Sequence, residues 1–213
     1  MKKLLYFSLI AAIILNACSK KNNDPKPQSI SIAGNSYSTV TIGSLTWTSV
    51  NYNGPGGTNY SDTTKNNPAF GKLYTMKEAK AITLPSGWRL PTYADYLNLV
   101  VALGATQAGP LKQDMNAYEI PANTISSLLS KTGWTYTDGT NSSGFNAMPA
   151  GAYGSSYFGM GYQSIFMIPS DDLGPLTFGI ISNGKLSAGI SDINTFYGIG
   201  ADYRCSIRFV RDN

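Results

Sequence analysis

The chain has 213 residues, of which 16 are basic and 12 acidic, and it contains no histidine. Without imidazole, Ser-His-Asp and Cys-His nucleophilic mechanisms and imidazole-based zinc sites are excluded. Five lysines and one aspartate precede residue 29, so the rest of the chain holds eleven basic and eleven acidic residues and offers no electrostatic footprint for nucleic acid.

The first 28 residues are typical of a secretion signal followed by a tether. Two lysines precede an apolar stretch that is too short to span a membrane and that ends Leu15-Asn16-Ala17-Cys18. This ending resembles a bacterial lipobox, in which the cysteine becomes the N-terminus and carries acyl chains such as palmitate. The alternative is an ordinary secretory signal with a chance cysteine. We expect a signal peptide over residues 1–17, a flexible tether over residues 18–28 with Cys18 acylated, and one domain over residues 29–213.

Alternating apolar residues between positions 30 and 52 predict two or three short strands joined by tight turns. A polar loop over residues 53–68 follows, and loops of this length are usually functional or mobile. Within it, Asp62-Thr63-Thr64 resembles the acceptor motif for O-glycosylation in Bacteroidetes. Thr63 is therefore a candidate modification site.

Two or three short helices are predicted after this loop. Thr75 and Glu78 have the T-x-x-E spacing of a capping box at the start of the first helix. The second helix begins at Thr92, with Asp95 in its first turn. The residues expected on its core side have i, i+3, i+4 spacing: Leu97, Val100 and Val101. A weaker helical pattern covers residues 122–131 and includes Ile125, Leu128 and Leu129.

The second half of the domain is rich in glycine and tyrosine. Short strands are predicted in four segments: residues 144–149, 162–168, 176–182 and 203–210. No internal repeat divides the domain. Two or three short helices among many short strands indicate an α+β fold.

Five motifs occur in a fixed order along the chain: IGSLTWTSVNYN, GKLYTMKEA, PSGWRLPT, SSGFNAMPAG and YRCSIRFVRD. Together they resemble the Fibrobacter succinogenes major paralogous domain over residues 41–212, a domain common in secreted and lipid-anchored proteins of gut Bacteroidetes. The GWRLPT element is also similar to that of formylglycine-generating enzymes, which have a C-type-lectin-like fold. The resemblance therefore implies a C-type-lectin-like domain with short helices and twisted antiparallel sheets. That fold hosts sugar binding, protein binding and oxidation chemistry, so it does not select a function.

Two cysteines that members of this family often carry are replaced here. Leu84 stands just before the PSGW turn and Phe209 in the terminal strand, at the places of those cysteines. Their joint absence implies that an apolar contact replaces a disulfide, so we predict that Leu84 and Phe209 approach each other. Cys205 is expected to be a buried, unoxidised thiol; a reactive thiol is the alternative.

Residues for catalysis or metal binding are missing or have a simpler explanation. The cysteine pair of formylglycine-generating enzymes and the EPN, QPD and WND elements of calcium-dependent lectins do not occur. Glu78 and Glu119 are the only glutamates, and Glu78 is explained as a cap, which disfavours a two-carboxylate hydrolase. Asp171-Asp172 is interpreted as an exposed acidic turn, with a calcium site as the alternative. We predict no enzymatic activity, no cofactor and no metal.

Residues 151–162, GAYGSSYFGMGY, are the candidate binding surface because glycines separate their aromatic side chains. Exposed aromatic rings bind the apolar faces of sugars and form hot spots against proteins. The ligand-binding candidates are Tyr153, Tyr157 and Tyr162. For Tyr153 and Tyr157 a core role is an equal alternative, and Phe158 and Phe166 are expected in the core.

The stretch LPSGWRLPT is interpreted as a corner of the fold. Gly87 supplies a turn, Trp88 anchors the corner in the core, and Arg89 pairs with an acid or with backbone carbonyls. The leading functional hypothesis is a non-enzymatic, outer-membrane lipoprotein on the cell surface or periplasmic face that binds a glycan or a surface protein. The alternative is a structural accessory subunit of an envelope or pilus assembly.

Overall fold

The computed structural model describes residues 28–60, 67–107, 118–169, 176–192 and 202–213. Within these residues, two five-stranded sheets and one two-stranded sheet accompany three short helices and a 3-10 turn (Pro68–Phe70). The helices are α1 (Met76–Lys80), α2 (Tyr93–Ala102) and α3 (Ala122–Leu128). Nearly all strand pairs are antiparallel, and the predicted α+β class is confirmed. The described part of the chain contains no helix with the length and hydrophobicity of a membrane-spanning segment.

The first sheet joins the beginning and the end of the described chain. In spatial order its strands are β1 (Ser29–Ile32), β2 (Asn35–Ile42), β3 (Leu45–Thr48), β12 (Val210–Asp212) and β4 (Trp88–Arg89). Strands β1 to β3 form the predicted meander, and its first turn has positive φ at Ala33 (50°) and Gly34 (82°), as a type I′ hairpin requires. Strand β12 lies between β3 and β4, so Val210 has Trp47 on one side and Arg89 on the other.

The second sheet carries the tyrosine-rich segment. Its spatial order is β11 (Leu186–Asp192), β10 (Leu176–Ser182), β9 (Gln163–Ile168), β7 (Ala150–Tyr153) and β8 (Tyr157–Met160). Among the described strands of this sheet, β7 and β9 pair in parallel, with Gly151 opposite Ser164, and the other pairs are antiparallel. Two further short strands, β5 (Thr106–Gln107) and β6 (Tyr118–Glu119), pair with each other.

An extended segment before β12 connects the two sheets. Three consecutive residues bridge to three different parts of the chain: Arg204 to Tyr153, Cys205 to Tyr74 and Ser206 to Phe166. The predicted strand at residues 203–210 is therefore not one regular strand, because its partner changes at every step. This segment brings α1 and the tyrosine hairpin of β7 and β8 next to each other.

Two apolar clusters form the core of the described structure. The first contains five aromatic residues in mutual contact: Trp47, Tyr96, Phe145, Phe166 and Phe178. The second is built around Tyr52, Tyr74 and Phe209. Ring centroids are 4.7 to 6.4 Å apart, within the range in which aromatic pairs stabilise a core beyond their buried area.

A fully buried arginine, Arg208, lies against the first cluster. Its guanidinium carbon is 4.9 Å from the ring centroid of Phe145 and 5.3 Å from that of Phe166. Its nitrogens donate to four oxygens at 2.7 to 2.9 Å: Asn51 Oδ1 and the carbonyls of Thr48, Phe145 and Asn146. Burial lowers the pKa of Arg208 to about 9, so the group is protonated at neutral pH.

The buried face of α2 differs from the prediction. Its fully buried apolar side chains are Tyr96, Leu99 and Val100. Val101 is 47% exposed, so its predicted place in the core is wrong, and Leu97 is only partly buried. The helix is rotated because Asp95, which is 5% exposed, points inward to cap the helix and to bind Arg89.

Two further boundaries differ from the prediction. Residues 144–149 form no regular strand, because positive φ at Gly144 (74°) and Asn146 (56°) interrupts the extended backbone. Helix α3 ends at Leu128, three residues before the predicted end at residue 131, because the backbone of Leu129 is extended. The apolar residues predicted for this helix are nevertheless buried: Ile125, Leu128 and Leu129.

Candidate ligand-binding site

The corner formed by residues 84–92 is held by Arg89. Its guanidinium binds both carboxylate oxygens of Asp95, with Nη2 3.0 Å from Oδ1, and reaches Asp212 Oδ1 at 3.2 Å. Asp95 also accepts hydrogen bonds from the backbone N–H and hydroxyl of Thr92, at 2.7 and 2.8 Å. Burial would raise the pKa of Asp95, but these hydrogen bonds hold it below its usual value. Arg89 is therefore committed to structural contacts.

Trp88 lies at the edge of the core rather than inside it. It is half-buried against the second apolar cluster, and the guanidinium of Arg211 covers its ring at 5.5 Å. Gly87 has φ 79°, which a tight turn before the strand requires. Gly87, Trp88 and Arg89 therefore all have structural roles in this corner of the fold.

The replaced cysteine positions lie in one region. Leu84 packs against the second apolar cluster, which also contains Phe209 and Cys205. A direct contact between Leu84 and Phe209 stays a prediction. Cys205 is fully buried with a free thiol, and burial raises the pKa of that thiol well above its usual value. A thiol in this environment is neutral and a poor nucleophile.

Three side chains form a row across the tyrosine hairpin. Tyr157 on β8 lies directly opposite Tyr153 on β7, and Tyr153 exchanges backbone hydrogen bonds of 2.8 and 3.0 Å with Arg204. Directly opposed residues of antiparallel strands project to the same face. The ring centroids of Tyr153 and Tyr157 are 4.8 Å apart, and the ring of Tyr60 continues the row 4.9 Å beyond Tyr157.

Tyr153 and Tyr157 of this row form one wall of an open cleft of about 380 Å³, which we call the tyrosine cleft. Its lining residues are Tyr153, Tyr157, Asp202 and Arg204. Both tyrosines are half-buried, so their rings are supported from below and keep exposed surface. Two aromatic faces beside an acid and a guanidinium can bind a ligand that has both apolar faces and hydrogen-bonding groups.

An ion pair connects the tyrosine cleft to α1. Arg204 Nη1 lies 2.7 Å from Glu78 Oε2, the same oxygen that accepts from the backbone N–H of Thr75 at 2.8 Å. The Thr75 hydroxyl in turn accepts from the Glu78 N–H, which completes the predicted capping box. Burial would raise the pKa of Glu78, but hydrogen bonds from Thr75 and Arg204 lower it. Glu78 is therefore ionised at neutral pH.

Comparison with known proteins gives one family assignment. The sequence model of the Fibrobacter succinogenes major domain matches residues 31–211. The chain belongs to this family. Searches of curated proteins and of solved structures gave no match. The match to the Fibrobacter succinogenes major domain includes all residues of the first core cluster, those of the second except Ile30, and all described residues that line the tyrosine cleft.

The structure divides the candidate tyrosines of this major domain into two groups. Tyr153 and Tyr157 share the tyrosine cleft, whereas Tyr162 does not line it. Tyr162 instead faces the edge of Tyr136, with ring centroids 6.5 Å apart. The two phenylalanines lie against the core as expected: Phe158 is partly buried and Phe166 is fully buried.

Two residues that line the tyrosine cleft, Asp202 and Arg204, do not follow from the sequence of the major domain, and neither does the neighbouring ring of Tyr60. Each comes from a segment far from residues 151–162: Arg204 pairs with the backbone of Tyr153, and the ring of Tyr60 contacts that of Tyr157. The motif YRCSIRFVRD contains Arg204, but its sequence context does not reveal that this side chain meets Glu78.

A second, larger cleft of about 680 Å³ lies between the end of α2, α3 and residues 140–143. Its polar lining consists mainly of hydroxyl groups, and these bind neighbouring backbone. Thr124 donates to the Leu103 carbonyl at 2.8 Å, and Ser143 donates to the Ser127 carbonyl at 2.7 Å. The described residues that line this cleft include no aromatic or charged side chain, so they offer a ligand fewer kinds of contact than those of the tyrosine cleft.

Several predicted sites lie outside the described residues: Cys18, Thr63 and Asp171-Asp172. Within the described part of the chain, no group of three His, Cys, Asp or Glu residues is placed to hold a metal ion. Glu119 is exposed on β6. The structure therefore supplies one candidate site with contacts that can be tested, the tyrosine cleft.

Proposed function

We propose that this major domain is a non-enzymatic binding module that recognises a glycan in the tyrosine cleft. The observation that carries the proposal is the row of Tyr60, Tyr157 and Tyr153, which ends at the Arg204–Glu78 ion pair. The rings provide apolar faces, and the charged groups provide hydrogen bonds.

Several features favour a sugar as the occupant. Pyranose rings have apolar C–H faces and polar edges, and half-buried tyrosines complement this pattern with a flat ring and a hydroxyl group. Backbone pairing fixes the positions of Tyr153 and Arg204, so these residues lose little conformational entropy when a ligand binds. Asp202 and Arg204 lie beside the rings, where they can bind hydroxyl groups.

Catalysis is disfavoured by the state of the acidic groups. Glu78 accepts hydrogen bonds from Thr75 and Arg204, and this leaves it neither the raised pKa of a general acid nor freedom to attack a substrate. Cys205 is buried and neutral. We therefore propose binding without turnover.

We also propose that the module is tethered to the outer membrane through an acylated Cys18 and that its fold is C-type-lectin-like. The lipobox-like LNAC motif supports the anchor, and the polar residues after it suit a spacer. The order of the five motifs and the α+β architecture support the fold assignment.

A glycan array tests the proposed function. The mature sequence in its Cys18→Ser form is applied with and without calcium, beside Tyr153→Ala and Tyr157→Ala. Specific binding that either cleft substitution reduces at least about tenfold, and that Tyr136→Ala leaves unchanged, is expected. The control is apt because Tyr136 is 60% exposed and does not line the tyrosine cleft.

A blank array under both conditions contradicts glycan recognition. Pull-down from native envelopes with the same variants then distinguishes a surface-protein ligand from the alternative role in an envelope or pilus assembly. Loss of capture with Tyr153→Ala would assign a protein ligand to the same cleft. Capture that both cleft substitutions leave intact would place the contact elsewhere.

A further inference from the structure

The ion pair beside the tyrosine rings controls the charge that a ligand meets. Among the described residues that line the tyrosine cleft, Arg204 contributes a positive group and Asp202 a negative one. Glu78 adds a second negative charge 2.7 Å from Arg204. The side chains of Arg204 and Glu78 are 21% and 33% exposed, so solvent only partly screens their attraction.

Glu78 is held in place independently of Arg204. Its Oε2 accepts from the Thr75 N–H at 2.8 Å and from the Thr75 hydroxyl at 3.0 Å, and its own N–H donates back to Thr75. These bonds belong to the cap of α1. An anionic ligand therefore cannot displace Glu78 without disrupting the helix start.

A ligand in the tyrosine cleft thus meets an arginine whose charge is compensated, together with an exposed aspartate. The three groups carry one positive and two negative charges, because Glu78 and Asp202 outnumber Arg204. A carboxylate or sulfate at this position would be repelled by Asp202 and would compete with Glu78 for Arg204. Neutral hydroxyl groups face no such penalty, since they can donate to Asp202 and accept from Arg204.

We infer that the tyrosine cleft selects uncharged glycans against uronate-containing or sulfated ones, and that Glu78 sets this selectivity by neutralising Arg204. This inference rests on the proposed glycan-binding function. It assigns Glu78 two roles, as a helix cap and as a specificity determinant that acts through Arg204.

Glu78→Gln separates the two roles. A capping box accepts Gln at its third position, so the substitution keeps the start of α1 while it removes the charge that compensates Arg204. Far-UV circular dichroism and thermal unfolding check that the variant is folded. Asp202→Asn offers a second route, because Asp202 is exposed and its replacement changes the charge of the cleft without touching the cap.

The experiment compares neutral oligosaccharides with their C6-oxidised uronate counterparts, using the Cys18→Ser form of the mature protein. We expect the unsubstituted protein to prefer the neutral member of a pair. In Glu78→Gln, binding of the uronate member should improve about fivefold or more relative to the neutral one, the effect of one partly exposed charge pair. Asp202→Asn should shift the same ratio in the same direction, and 0.5 M salt should weaken both shifts.

The double substitution Glu78→Gln/Arg204→Gln is the matched control, and it should lose the gain in uronate binding. Equal or tighter binding of uronates by the unsubstituted protein would overturn the charge inference while leaving glycan recognition intact. An unchanged ratio in both folded single variants would also overturn it. If neither member of any pair binds, the proposed function itself fails, and this inference fails with it.

Discussion

At the scale of single residues, Arg208 is the most unusual group in the core. A buried charge is normally compensated by an opposite charge, but the described contacts of Arg208 are an amide oxygen, three backbone carbonyls and two aromatic rings. The carbonyls belong to β3 and to residues 145 and 146, so one side chain ties the final segment to two distant parts of the chain.

Replacing Arg208 should therefore be severely destabilising. In Arg208→Met three buried acceptors and one partly buried acceptor lose their donor, and we expect the free energy of unfolding to fall by about 3–5 kcal/mol. Urea unfolding followed by tryptophan fluorescence measures this change. Arg211→Met is the matched control, because Arg211 is exposed and covers only Trp88, and it should cost less than about 1 kcal/mol. Similar losses in the two variants would show that the buried hydrogen bonds contribute little.

At the scale of elements, both capped helices use a threonine and an acid three residues later. Helix α1 uses Thr75 with Glu78, and α2 uses Thr92 with Asp95. In each case an arginine binds the capping acid: Arg204, from the extended segment before β12, in the first, and Arg89, on the neighbouring strand β4, in the second. The helix starts are thereby fixed to the sheets as well as capped.

The second of these arrangements predicts a pH dependence of stability. The pKa of Asp95 is lower in the folded protein than in the unfolded chain, because the folded protein stabilises the ionised carboxylate. The ionised group therefore adds to the free energy of unfolding above the ordinary carboxyl pKa near 4, and this stabilisation is lost as pH falls through the lower folded pKa. Unfolding midpoints in urea should therefore decrease as pH drops below about 4. In Asp95→Asn the decrease should be shallower, since that group no longer titrates. An equally steep decrease in the variant would assign the acid sensitivity to other carboxylates.

At the scale of the whole molecule, local patterns were readable from the sequence and long-range pairings were not. The capping box of α1, the β1–β3 meander, β9 and β10 follow from short-range spacing, and the structure has them where they were predicted. The exposure of Val101 does not follow from apolar spacing alone, because the orientation of α2 also depends on the contact of Asp95 with Arg89. For the tyrosine cleft, the sequence predicts that Tyr153 and Tyr157 lie together, because they are close in sequence. It does not predict Arg204, which joins them only through pairing with the backbone of Tyr153.

The same long-range pairing makes β12 the strand on which the first sheet depends. It lies between β3 and β4, Val210 is fully buried, and Asn213 donates from its backbone to the Ser44 carbonyl at 3.2 Å. Without β12, both neighbours would have unpaired edges, and β4 would have no partner among the described strands. Edge strand β1, by contrast, pairs on one side only, with β2.

Deleting residues 210–213 should therefore abolish cooperative unfolding, with loss of the near-ultraviolet circular dichroism that the packed tryptophans and tyrosines produce. Deleting residues 1–32, which removes β1 and everything before it, is the matched truncation and should lower the melting temperature while the transition stays cooperative. The contrast has a physical cause, because an internal strand is paired along both edges and an edge strand along one. If the two truncations behaved alike, the stability of this domain would reside mainly in the second sheet and its aromatic cluster.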